Sequence, residues 1–238
     1  MKHLLKIMTV FLPLFLGAVN PLFHVPLDGS AEVFGPDGKT IATGVVQGRS
    51  EYQPGVAGQA LDVQRRAPDQ VTTVVFNRMP AINCNSGTVA FWFKPYWNET
   101  DAAEHTIFNA RDSQWKGFRF YLIKINDYVE LSICPPEQIQ IIRRNILKAG
   151  EWTHIAFSWD QASGTIRLFI NGKVIGESSK PTAFKTFEPM EIVYFLGQDN
   201  PDLSTVAVGD GLYDEIKIFD KPLPENEITV LANSKDKK

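Results

Sequence analysis

The chain has 238 residues, of which 44% are hydrophobic and 11% aromatic, with a formal net charge of −3. So slight an acidic balance supplies no positive field for nucleic acid or anionic lipid, and neither is expected as a partner. Its size suits one domain with a sizeable core.

Met1–Lys6 is a cationic start, Ile7–Leu16 a short apolar run and Gly17-Ala18 a small-residue exit, the pattern of a secretory signal peptide over residues 1–18. The alternative is a retained membrane anchor, but the run is too short to span a bilayer and Pro13 interrupts it. Cleavage near Val19 is expected to leave a secreted, periplasmic or cell-surface chain with no membrane span. The folded domain is assigned to residues 19–233, and the charged residues 234–238 to a disordered tail.

Turn signals then recur roughly every eight to fifteen residues, among them Pro36-Asp37-Gly38, Pro54-Gly55, Asn126-Asp127, Ser163-Gly164, Asn171-Gly172 and Gly209-Asp210-Gly211. Short strands between such punctuation predict an all-β sandwich. Phe118–Ile125 and Tyr128–Ile133 alternate apolar and polar residues about a tight turn, which predicts a hairpin. Trp152–Asp160 and Gly164–Gly172 predict another, with Asn171-Gly172 tolerating positive φ at the next reversal. Gly211–Phe219 reads as a last strand, in which the adjacent Asp214 and Glu215 are expected to point to opposite faces. Helical periodicity is confined to Pro224–Ala232, where an early Pro and acidic residues suit a helix start. Cys84 and Cys134 either form one disulfide closing about fifty residues or remain buried thiols; without nearby Cys or His they do not make a zinc knuckle.

The segment from Trp152 to Gly172 and the strand Gly211–Leu223 resemble, in order, the signature stretches of the laminin-G-like jelly-roll family in the concanavalin A-like lectin/glucanase superfamily. Leu27–Ala31, Gly55–Leu61 and Gly87–Pro95 fit the same pattern, so the resemblance covers roughly residues 24–232. It implies two facing antiparallel sheets with a short C-terminal helix, and it leaves function open, because this fold carries lectins, adhesion modules, glycosidases and spacers alike.

Three functions follow from that resemblance. Glycan binding needs an aromatic platform with amide and carboxylate groups beside it. Tyr96, Trp97 and Trp115, in polar loop-like contexts with Asn109, Arg111 and Asp112, are the expected ligand-binding residues, with Asp199 and Asn200 contributing from a second loop. Trp92, Trp152 and Trp159 are expected in the core. A protein-interaction or structural module of a surface assembly is the alternative and needs no such platform. A glycoside hydrolase is the weakest reading: the related glucanases place paired carboxylates about 5 Å apart on one strand as E-x-D-x-x-E, and that run does not occur in the sequence. His154 matches a strand histidine of the family and is read as structural. The related glucanases also ligate a structural calcium ion through an Asp at the place of Asp214, so Asp214 and chain oxygens near Asp28 are the expected metal ligands. The alternative is that Asp214 caps a turn by accepting backbone N–H groups.

Overall fold

The computed structural model describes residues 20–67, 70–82, 85–112, 119–134, 138–181, 190–197 and 208–234. Its strands are β1 (Phe23–Val25), β2 (Glu32–Phe34), β3 (Thr40–Thr43), β4 (Val45–Gln47), β5 (Tyr52–Pro54), β6 (Gln59–Val63), β7 (Arg65–Ala67), β8 (Gln70–Val71), β9 (Thr73–Ile82) and β10 (Ser86–Pro95). There follow β11 (His105–Asp112), β12 (Arg119–Ile125), β13 (Tyr128–Cys134), β14 (Ile139–Arg143), β15 (Thr153–Asp160), β16 (Thr165–Ile170), β17 (Lys173–Ser179), β18 (Met190–Leu196), β19 (Gly211–Phe219) and the helix α1 (Glu225–Asn233). A ten-stranded sheet runs β17-β16-β15-β10-β19-β1-β2-β3, with β6 also on β19 and β5 on β6. A seven-stranded sheet runs β14-β13-β12-β11-β18-β9-β4. All pairings are antiparallel, as an all-β jelly-roll sandwich requires.

Alternation decides which side chains enter the core. Along β12 the burial pattern strictly alternates, sending Phe120 and Leu122 inward. Aromatic rings from the two sheets meet there: Phe91 on Phe108 at 5.6 Å, Phe120 on Phe157 at 5.3 Å and on Trp159 at 5.0 Å. Such offset and edge contacts add to simple burial. The Tyr213 hydroxyl, fully buried, donates across the core to the Ile107 carbonyl at 2.8 Å. Nearly all of β10 is buried: on its other side Ala90, Ala156, Phe169, Phe219 and Leu223 form a second, smaller cluster with Ile228 of α1, and Trp92 packs on His154.

Both expected hairpins are present, the first paired Ile125 to Tyr128 with Asn126 at φ 50°, the second followed by Asn171-Gly172 at φ 49° and 83°. Two expectations need correction. Trp159 and Trp92 are buried, but Trp152 is only half-buried, because it precedes β15 and lies at the rim. Asp214 and Glu215 do not take opposite faces. The register between β10 and β19 shifts from Ala90–Lys217 to Trp92–Asp214, so an extra residue is accommodated with Glu215 at φ 53°. Tyr213 and Ile216 enter the core, while Asp214 meets the 55–57 loop and Glu215 meets His24 and Lys217. Cys134 is a free, half-buried thiol, and Cys84 lies outside the described residues, as do 1–19 and 235–238.

The close passage of β10 under Trp159 gives a first prediction. A Cβ at Gly87 would sit 2.5 Å from the Trp159 ring and 3.0 Å from the Phe219 carbonyl oxygen. Gly87→Ala should therefore destabilise the fold by about 1–3 kcal/mol, read as a lower urea midpoint with an unchanged slope.

Candidate functional site

The outward side of the seven-stranded sheet carries an aligned row of polar side chains. Alternation that buries Phe120 and Leu122 turns Arg119 and Tyr121 outward, and on β13 it turns Glu130 and Ser132 outward. Register places Asn109, Tyr121, Ser132 and Gln140 side by side across four strands, with Arg111, Arg119 and Cys134 in the next row. At ~4.8 Å per strand the row is about 15 Å long.

These groups converge. One oxygen of Glu130, Oε1, accepts from the Ser132 hydroxyl at 2.5 Å and the Tyr121 hydroxyl at 3.3 Å. The Gln138 amide lies 3.0–3.3 Å from Ser132, Tyr121, Glu130 and Gln140. The Arg119 guanidinium stacks 4.6 Å from the centre of the Tyr121 ring. Burial, reinforced by the charge of Glu130, holds the Tyr121 hydroxyl above its usual titration range, so it remains a donor. Ser132 is fully buried and Glu130 nearly so, whereas Gln138 and Gln140 are exposed. The network thus has a fixed floor and an accessible rim.

The expected site residues are divided by the structure. Asn109 and Arg111 lie on this face, both buried; Asp112, also buried, ends β11. Tyr96 is exposed, but at another rim, where the Gln53 amide approaches its hydroxyl at 3.5 Å and donates to Asp62 at 2.8 Å. Trp97 is corrected from loop platform to core: only 5% exposed, its indole N–H donates to the Gly209 carbonyl at 2.7 Å and its ring stacks on His105 at 4.6 Å. Lys124 packs 5.9 Å from the same ring. Trp115, Asp199 and Asn200 lie outside the described residues. Arg119, Tyr121, Glu130, Ser132, Gln138 and Gln140 were not anticipated. The alternation of β12 and β13 was visible in sequence, but cross-strand register was not.

Asp214 and Asp28 bracket the loop between β5 and β6. Asp214 Oδ2 accepts from the Val56 and Ala57 amides at 2.6 and 3.0 Å, and Asp28 Oδ1 accepts from the Gln59 amide at 2.6 Å. A side chain at Gly55 or Gly58 would collide with one carboxylate or the other, so only glycine lets the loop approach. Asp214 Oδ1, buried, has no hydrogen-bond partner among the described residues. Among the described residues no group of three His, Cys, Asp or Glu side chains gathers to hold a metal.

A family model described as concanavalin A-like lectin/glucanases superfamily, Laminin_G_3, matches residues 69–229. The chain belongs to this laminin-G-like family. No curated protein matches it. Among solved structures, domain 4 of AbnA, an extracellular arabinanase of Geobacillus stearothermophilus, solved with arabinotriose, is 20% identical with TM-score 0.65, covering 90% of this chain and 98% of that one. The receptor-binding domain of botulinum neurotoxin D is 14% identical with TM-score 0.65 over 90% of this chain. The binding domain of botulinum neurotoxin DC in complex with SialylT is 16% identical with TM-score 0.66 over 91%. The laminin-G-like chain spans about half the length of these toxin domains, 52% of each.

Electrostatics around the bulge of this laminin-G-like domain oppose one another. Burial pushes Asp214 up to about 7 against the lowering effect of the Ala57 and Val56 amides, and the charges of Glu215 and Asp28 push the same way as burial. Glu215 is itself desolvated, yet its hydrogen bond to His24 and its pairing with Lys217 overcome burial and hold it down at about 2. Burial and the charge of Lys217 hold His154 down at about 4. Between about pH 4 and 7 the native state keeps a proton on Asp214 that the unfolded chain has lost, so this residue makes stability fall as pH rises. His154 acts in the opposite sense: from about pH 6.5 down to 4 the unfolded chain takes up its proton first, so stability falls as pH falls. Glu215 adds stability above about pH 4.5 that is lost on acidification toward 2. In chelator, the stability difference between wild type and Asp214→Asn should therefore shift against wild type from pH 4 to 7 and stay constant above, measured by urea unfolding. A difference independent of pH would contradict the raised Asp214.

Proposed function

We propose that this laminin-G-like chain is a secreted, non-catalytic module that binds a glycan or cell-surface glycoconjugate on the outward face of its seven-stranded sheet. The observation that carries the reading is the convergence of Tyr121, Ser132 and Gln138 on Glu130 beside the Arg119–Tyr121 stack. Saccharides are held by aromatic surface together with a few hydroxyl, amide and carboxylate groups at fixed spacing. Here Glu130 is fixed as an acceptor by its neighbours, a role in positioning rather than in nucleophilic attack. Asn109 and Arg111 extend the row and Asp112 ends its strand, Trp115, Asp199 and Asn200 remain candidates from the sequence alone, and Tyr96 is a candidate for a separate rim contact. The arabinanase domain solved with arabinotriose and the toxin domain solved with SialylT support the reading on the same fold. The signal-like residues 1–18 support export.

A structural calcium ion at Asp214 and Asp28 belongs to the same proposal. The buried Asp214 Oδ1, unpartnered among the described residues, and the burial and neighbouring negative charge that raise Asp214 fit a hard cation, which would complete its shell with backbone oxygens. Bound there, it would neutralise the two carboxylates and lock the 55–59 loop.

A protein partner is the second reading. Ile41 and Val45 are exposed on β3 and β4, which end the two sheets, and the botulinum neurotoxin DC binding domain has been solved with rat synaptotagmin II.

A glycan array tests the first reading. Selective binding by wild type should weaken about tenfold or more in Tyr121→Ala, corresponding to ~1.4 kcal/mol or more, with the urea midpoint confirming a folded variant. A blank array with folded wild type would favour a protein partner. Calcium at a hundredfold excess over its Kd should add about 2.7 kcal/mol, or roughly 5–10 °C in Tm, and chelator should remove it. An unchanged Tm would eliminate the ion.

A further inference from the structure

We infer that the domain carries a second binding site, a rim cleft shaped for a neutral saccharide and separate from the outward face of the seven-stranded sheet. The cleft, open to solvent, has a volume of about 530 Å³ between residues 98–100, 145–148, 151–153 and Asn171. That volume lies in the range of small-ligand sites, roughly 300–1,000 Å³.

Its walls divide into an apolar side and a polar side. Half-buried Trp152, with Ile146, supplies the apolar side. Asn98, Thr153 and Asn171 supply amides and a hydroxyl, and at the mouth Lys148 is neutralised by an ion pair with Glu151. An indole with uncharged hydrogen-bonding groups suits the ring face and hydroxyls of a sugar; the compensated charges give no preference for an anion.

The loops are fixed without a ligand. The carboxylate of Glu99, only 5% exposed, accepts three successive amides: from Asn145, from Ile146 at 2.6 Å and from Leu147 at 2.7 Å. Asn145 can present them because it takes the left-handed conformation, at φ 59°. Asn98 Oδ1 accepts from the Ala149 amide at 3.2 Å, the Gly150 amide donates to the Pro95 carbonyl at 2.8 Å, and Asn171 Oδ1 accepts from the His154 amide at 2.9 Å. A site whose walls are already ordered loses little conformational freedom on binding. The charge of Glu99 is consumed by the backbone, so the cleft offers a ligand its neutral groups.

The test is a titration of the ¹⁵N-labelled protein with arabinotriose, cellotriose and, as a charged comparison, sialyllactose. The Trp152 indole signal is assigned by its loss in Trp152→Ala. A neutral trisaccharide should shift this signal saturably, the shift should persist in Tyr121→Ala, and affinity at the cleft should fall about tenfold in Trp152→Ala, read from the neighbouring backbone amides. Asn98→Ala, which leaves the indole in place, should weaken binding several-fold and guards against misfolding of the tryptophan variant. An indole signal that stays still with both neutral sugars overturns the cleft, as does a shift that vanishes in Tyr121→Ala, which would assign all binding to the sheet face. A shift of the indole with no component of binding that depends on Tyr121 would instead remove the sheet-face reading and leave the cleft standing.

Discussion

The whole sandwich hangs on a change of neighbour along β19. One edge of this strand pairs with β10 throughout, but the other pairs with β6 at residues 211–213 and with β1 at 216–218. Asp214 and Glu215 occupy the gap between these partners. Each satisfies the chain that has just departed or is about to arrive, Asp214 the 55–57 loop at the head of β6 and Glu215 the His24 side chain on β1. A regular strand would have turned one of the two carboxylates into the apolar core, where an unpaired charge is costly. The bulge keeps both out of it and leaves Tyr213 and Ile216 to fill the core.

That arrangement explains why the two sheets divide their labour. The ten-stranded sheet is covered on its inward side by the core, and on its outward side Ile228 of α1 joins Ala90, Ala156, Phe169 and Phe219 beside buried Thr88, His154 and Ser158. The seven-stranded sheet buries Phe108, Phe120, Leu122 and Leu131 inward, and its outward row of Asn109, Tyr121, Ser132 and Gln140 is polar. Buried polar groups are tolerated when they satisfy one another, and for Tyr121 and Ser132 convergence on Glu130 does so.

Much of the fold was readable in sequence because its signals are local. Asn171-Gly172, Asn126 and the Pro224–Ala232 pattern each specify their own backbone, and the hairpins and helix appear where they point. The site was less readable because it depends on register and on long-range partners. Trp97 stands among Tyr96, Asn98 and Glu99, a polar context, yet its indole N–H finds Gly209 and its ring finds His105, both more than a turn away in the chain. Trp152 sits in a signature stretch that reads as core, but the strand begins one residue later and leaves the ring at the rim. Tyr121 was hidden for the opposite reason: alternation shows that it faces outward, and only pairing with Asn109 and Ser132 shows what it faces beside.

Glu99 and Glu130 show how similar burial can serve opposite ends. Both are nearly buried and both accept several hydrogen bonds. The donors to Glu99 are backbone amides whose positions are set by the 145–147 turn, so no ligand can replace them without undoing the loop. The donors to Glu130 are a buried serine hydroxyl, a half-buried tyrosine hydroxyl and an exposed glutamine amide, and the amide can turn toward an incoming hydroxyl and exchange partners at little cost. Hydrogen bonds to side chains that reach solvent therefore mark a surface prepared for exchange, whereas bonds to the main chain mark a carboxylate committed to the fold. By that criterion Glu130 fits the proposed sheet-face site, and Glu99 belongs to the frame that holds the rim.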